Sequence, residues 1–194
     1  MTDFAFWHRR LCPVTDRLLL SGDLPYDEDE QTEALGKWLE VGITHILDTR
    51  AEGDGNAFLS RHAPDLRYAR VPTEDDGRTQ PDRWFDDGLA FFWAAFDSPN
   101  SRLLVHCAMG INRGPSMAFR ILLELGWEPL AALQAIRSAR PIADVGYAQD
   151  ALDHYHRTHD IKAAMREEDR GIVEAWLRGY EIPTALASEC PGAG

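Results

Sequence analysis

The sequence predicts an α/β domain in which a central, mostly parallel sheet is flanked by helices. Short apolar runs alternate with stretches of helical spacing, the pattern of strand–helix–strand units. The run Leu103-Leu104-Val105 passes through a tight loop into a helix-like segment over 116–125. That puts a small loop at the carboxyl end of a strand, where sheets of this kind hold ligands. The chain has 194 residues, 44% of them hydrophobic, which fits one domain with a sizeable core. Neither an internal repeat nor a linker divides it.

The elements follow in order. Residues 1–16 form an arm with Phe4, Phe6 and Trp7 as apolar anchors. Residues 17–20 are a short strand closed by Ser21-Gly22. Over 27–41, acidic residues complement a helix N-terminus and lead into Leu35, Trp38 and Leu39, with Gly42 as C-cap. A strand over 43–47, a short helix over 56–62 and a strand over 66–71 come next. Residues 73–79 carry three acids and a Gly and read as a surface loop. Pro81 opens a strongly apolar helix reaching residue 96. The strand over 102–105 precedes the tight loop, and a helix over 115–125 follows it. Helices are expected over 129–139, 147–158 and 161–180. The domain therefore spans 17–158, and 159–194 form a helical extension ending in a disordered tail over 183–194.

The formal net charge is −12. A nucleic-acid binder normally presents a basic face, so this charge argues against DNA or RNA, and also against an anionic membrane surface. Three Cys, at positions 12, 107 and 190, are too few and too scattered for a disulfide framework or a zinc site. Their odd number suggests a reducing compartment. Neither a signal peptide nor an apolar run near the ~18 residues of a membrane span is present. A soluble, cytoplasmic protein is expected. Its oligomeric state is not readable.

The chemistry lies in Val105-His106-Cys107-Ala108-Met109-Gly110-Ile111-Asn112-Arg113-Gly114. A helix N-terminus offers unpaired N–H groups and partial positive charge, binds phosphate, and favours ionisation of a Cys placed there. Arg113, six positions after Cys107, can fold its planar fork over the same centre and grip two phosphate oxygens. A loop with its N–H groups turned inward needs a residue at positive φ, and Gly110 supplies one. Ala108, Met109, Ile111 and Asn112 are expected to contribute backbone. The bland alternatives are a buried core Cys after a strand and a surface Arg. An Arg there would oppose the helix dipole, so a purely structural role is poorly motivated.

His106-Cys107, five residues and Arg113 match the HCx5R signature of the cysteine-dependent protein tyrosine phosphatase superfamily. The resemblance to its dual-specificity branch extends through Gly42-Ile43-Thr44-His45-Ile46-Leu47-Asp48 and Tyr68-Ala69-Arg70-Val71-Pro72 and, more loosely, Arg140-Pro141-Ile142 with Gly146-Tyr147. It covers roughly residues 17–157. The resemblance implies a protein tyrosine phosphatase-like fold and hydrolysis of phosphate monoesters. Cys107 would be the nucleophile, Arg113 and the loop from Ala108 to Asn112 the phosphate cradle, and His106 a support from behind. It implies neither metal nor cofactor, and a phosphorylated protein or peptide as substrate. The general acid would lie on the loop after Pro72, where Glu74, Asp75 and Asp76 compete; the spacing favours Asp75. A solvated acidic loop is the plain alternative.

Three positions depart from the pattern. Gly114 stands where the family commonly has a Ser or Thr that helps expel the thiolate, which puts the second step in doubt. Ala143-Asp144 replaces a Pro-Asn pair, adding negative charge near the site. The neutral loop favours a singly phosphorylated substrate, because polyphosphorylated lipids call for cations there. The rival readings are a phosphopeptide-binding module of weak activity and a phosphatase of small metabolites.

Overall fold

The structure is a computed structural model, described here over residues 7–179. Phe4, Phe6 and the expected tail lie outside those residues. Five strands form one sheet: β1 (Cys12–Pro13), β2 (Leu18–Ser21), β3 (His45–Arg50), β4 (Arg67–Thr73) and β5 (Leu103–His106), in the order β1-β2-β5-β3-β4. All neighbours are parallel except the β1–β2 pair, in which Cys12 faces Leu20. Part of the expected arm is therefore an antiparallel edge of the sheet, with Cys12 buried.

Alternation in the strands assigns the two faces. Leu18, Leu20, Leu47, Leu103 and Val105 join one buried cluster, and Leu19, Ile46 and Leu104 another. The second cluster lies under α1 (Glu28–Glu40) and α2 (Asn56–His62), through Leu35, Trp38 and Leu59. The first lies under α3 (Asp82–Phe96), α4 (Arg113–Glu124), α5 (Pro129–Ala139) and α6 (Ala148–Thr158). The last helix, α7 (Ala163–Arg178), packs on the same side. It buries Val173, bonds Asp169 to His156 at 2.8 Å and lays Trp176 under the Arg137 guanidinium at 3.5 Å.

Local chemistry explains the boundaries. Asp27 caps α1 by accepting from the N–H groups of Asp29 and Glu30. Gly42, at φ +85°, ends it; the Gly42 N–H donates to Leu39 O and the Ile43 N–H to Trp38 O. Ile43 is thereby used as the buried residue after the cap, and β3 begins at His45 instead of residue 43. It also runs three residues further than the apolar pattern. Asp48, Thr49 and Arg50 are polar yet buried, because Arg50 pairs with Asp48 and Asp23 while Thr49 Oγ1 donates to His106 O at 2.9 Å. Helix α4 starts at Arg113, two residues earlier than expected, with Gly114 and Pro115 inside its first turn.

Candidate active site

The carboxyl ends of β3, β4 and β5 converge on one point. Cys107 follows β5 directly and is buried. The loop behind it is shaped by what its carbonyls do. Ala108 O accepts from the Asp23 N–H at 2.8 Å and from His8 Nε2 at 3.0 Å. Met109 O and Gly110 O accept from Arg140, at 3.0 and 2.6 Å. Ile111 O accepts from the Asp144 N–H at 2.8 Å. With four successive carbonyls held outward, the backbone N–H groups turn inward. Among the described residues none of the N–H groups from Ala108 to Arg113 donates to another protein group. Gly110 has the positive φ, +64°, that such a nest requires. The mouth of α4 lies over the same hollow, adding its partial positive charge.

Arg113 is nearly buried and spans all three strand ends. Its two terminal nitrogens each donate to Glu52 at 2.6 Å, and one also donates to Thr73 O at 3.1 Å. Its Nε lies 3.3 Å from Asp75 Oδ2, but off the line of a hydrogen bond, so this N–H is buried without a hydrogen-bond partner. Burial opposes the guanidinium charge, yet Glu52, Cys107 and Asp75 together raise its pKa. The hydrogen bonds from Arg113 in turn hold the Glu52 carboxyl below the usual range.

Of the three competing carboxylates, Asp75 is the one at the loop. Its Oδ1 accepts from Asn112 Nδ2 at 2.7 Å and from the Tyr147 hydroxyl at 3.0 Å. Asp76 instead turns to Arg78, 3.4 Å from its Nε, and caps the Arg78 N–H. Glu74 approaches the site through its carbonyl, 3.4 Å from the Tyr147 hydroxyl. His106 is buried beneath the loop, its Nε2 3.8 Å from Asp48 and its ring 5.9 Å from Trp38, with the Cys107 backbone nearby. Burial lowers its pKa, so the ring is neutral at neutral pH. Asp144 packs its backbone on the loop. Burial pushes its carboxyl pKa up; Arg137 opposes this and Asp75 adds to it.

Four features escaped the sequence reading. Asn112 gives the site its side chain as well as its backbone. Glu52 occupies the guanidinium fork; its place just past the end of a parallel strand was the signal available. Arg140 is fully buried and braces the loop. Gly114 packs against backbone: an added Cβ would lie 3.2–3.3 Å from His106 C, His106 Cα and Cys107 N. Ser116, two residues on, accepts from the Tyr147 N–H and faces Asn112, not the thiol.

Residues 28–150 match the family model of the dual specificity phosphatase catalytic domain, most of the chain. The chain belongs to the dual specificity phosphatase family. It is 27% identical over 142 residues to mouse dual specificity protein phosphatase 13B, covering 72% of this chain and 70% of that one. To mouse protein tyrosine phosphatase type IVA 3 it is 30% identical over 128 residues, covering 53% and 74% respectively. Human DUSP28 superposes with a TM-score of 0.62 at 21% identity, covering 76% of this chain and 94% of that one. PTPMT1 in complex with PI(5)P superposes at 0.57 and 18% identity, covering 78% and 99%. The protein is thus a phosphatase of this branch, with the α/β fold expected of it. Among the described residues no helix is long and apolar enough to cross a membrane.

Proposed function

We propose that the chain hydrolyses phosphate monoesters on protein Tyr, Ser or Thr side chains through a cysteinyl-phosphate intermediate. The observation that carries this reading is the run of backbone N–H groups after Cys107 that donate to no protein group among the described residues, with the Arg113 charge close enough to interact with Cys107. Such a site matches a phosphoryl group whose oxygens gain charge in transit. The Cys107 thiolate attacks phosphorus in line with the leaving oxygen. Asp75 protonates that oxygen as the P–O bond breaks. Asp75 then takes a proton from the water that releases phosphate, and the thiolate is regenerated. Glu52 positions Arg113 from the far side of its fork.

The neutral side chains of Ala108, Met109 and Ile111 favour a substrate with one phosphate. PTPMT1, solved with PI(5)P, makes a phosphoinositide the rival substrate. The test uses Cys107→Ser with p-nitrophenyl phosphate, phosphopeptides and PI(5)P. Serine is far less ionised than a thiol, so turnover should vanish while phosphate binding persists. A Ser variant that still turns over an aryl phosphate refutes the nucleophile. A wild type that prefers PI(5)P over every phosphopeptide refutes the protein substrate. One that binds phosphopeptides without turnover favours a binding module.

A further inference from the structure

We propose that Asn112 and Tyr147 are positioning residues that fix both the place of Asp75 and the oxygen on which it carries its proton. This rests on the reading of Asp75 as the general acid. A closed ring of hydrogen bonds supports it. The Tyr147 N–H can only donate, and it donates to Ser116 Oγ at 3.1 Å. The Ser116 hydroxyl then has its own proton for Asn112 Oδ1, 3.3 Å away. With its carbonyl oxygen so engaged, Asn112 turns its amide nitrogen to Asp75 Oδ1 at 2.7 Å. The Tyr147 hydroxyl closes the ring. It accepts from the Gly77 N–H at 3.2 Å and donates to the same Asp75 Oδ1 at 3.0 Å.

Oδ1 therefore receives two donors before any substrate arrives. An oxygen that also bore its own proton would present that hydrogen to one of them. The acidic proton accordingly belongs on Oδ2. That is the oxygen turned toward Arg113 Nε, at 3.3 Å, and so toward the phosphate cradle. When the S–P bond forms, the P–O pair leaves with the departing oxygen, which takes the Oδ2 proton. Asp75 is left a carboxylate with both bonds to Oδ1 intact. In the second step Oδ2 accepts a proton from the attacking water while the S–P pair returns to sulfur.

Two further facts fit. The Tyr147 hydroxyl pKa is pushed up to about 12, chiefly by burial and then by the Asp75 charge against the Gly77 N–H, so it remains a donor at neutral pH. Gly146 leaves room for the amide, since an added Cβ there would come within 2.9 Å of Asn112 Oδ1.

The test compares Tyr147→Phe and Asn112→Ala, each alone and combined with Asp75→Asn, on aryl phosphates whose phenols range from acidic to weakly acidic. For the poorest leaving group each single variant should lower kcat/KM, which reports the step that expels the leaving group, about tenfold, because a hydrogen bond to a charged group is lost. The best leaving group should be nearly unaffected, and inhibition by inorganic phosphate should change less than about twofold. In the Asp75→Asn background neither variant should cost more, because the acid on which it acts is gone. Gly146→Ala crowds the amide without removing a donor and should give the same leaving-group signature; it serves if Asn112→Ala proves unstable. Equal losses across all leaving groups, or full additivity with Asp75→Asn, would overturn the ring while leaving Asp75 as the acid. If Asp75→Asn itself shows no leaving-group dependence, the acid and the ring fall together.

Discussion

Arg140→Lys tests whether the phosphate loop is shaped from behind. The Arg140 guanidinium is fully buried. It reaches Gly110 O at 2.6 Å, Met109 O and His8 O at 3.0 Å, Arg10 O at 3.1 Å and Cys12 Sγ at 3.4 Å. These acceptors surround a planar fork. A lysine ammonium is a single centre with three donors and cannot serve all four carbonyls. If two carbonyls lose their partner at about 1–3 kcal/mol each, the cost is about 2–6 kcal/mol, and a central value is about 4. In a domain of this size each kcal/mol lowers Tm by about 2–4 °C, so a fall of about 8–16 °C is expected. Function should suffer in the folded fraction too. Once the Met109 and Gly110 carbonyls are freed, their peptides can swing and the N–H nest loses its shape. Thermal denaturation with and without inorganic phosphate, and kcat/KM on p-nitrophenyl phosphate, measure both effects. The phosphate-induced rise in Tm should shrink along with kcat/KM. A Lys variant with wild-type Tm, phosphate response and kinetics would refute the bracing role.

The position after Arg113 calls for a paired comparison. Gly114→Ser restores the hydroxyl common in the family, but its Cβ must push on the backbone of His106 and Cys107. Gly114→Ala carries the same crowding without the hydroxyl. Both should lose about 1–3 kcal/mol of stability. The Ser variant should exceed the Ala variant in steady-state rate and show a smaller burst in rapid-mixing kinetics; equal rates would exclude hydroxyl assistance. Stability should also fall with acid. Burial depresses the pKa of His8, His45, His106 and His154, so below about pH 6.5 the unfolded chain binds more protons than the folded one, and the stability that is full above that pH is progressively lost. His154 illustrates the cause. Its Nδ1 accepts from Arg120 Nε at 2.9 Å, which a protonated ring cannot do. Tm should drop between about pH 7.5 and about pH 5.5, and less steeply in His154→Gln. The raised carboxyls of Asp144 and Asp150 act with the opposite sign. A flat Tm over this interval would count against the buried neutral histidines.

The sequence by itself determined the fold class, the order of nearly every element and the loop between Cys107 and Arg113. These are encoded locally, in apolar periodicity, in Gly42 and Gly110 where positive φ is needed, and in a six-residue spacing that any strand–loop–helix would bring to one point. It also favoured Asp75 within a run of three acids. Only the tertiary structure decided how those groups are held. Arg140 lies 30 positions beyond Gly110, and Glu52 lies 61 before Arg113. A place just past a strand end is the only local signal for Glu52, and no local signal names the carbonyls that Arg140 serves. The buried ending of β3 lay beyond the apolar run for the same reason: Asp48, Thr49 and Arg50 are polar, and Asp23 and His106, from other strands and loops, help satisfy their polar atoms. Apolar burial follows a periodic pattern that can be read along the chain. A buried polar group is tolerated only where particular partners converge, and that convergence exists only once the sheet has assembled.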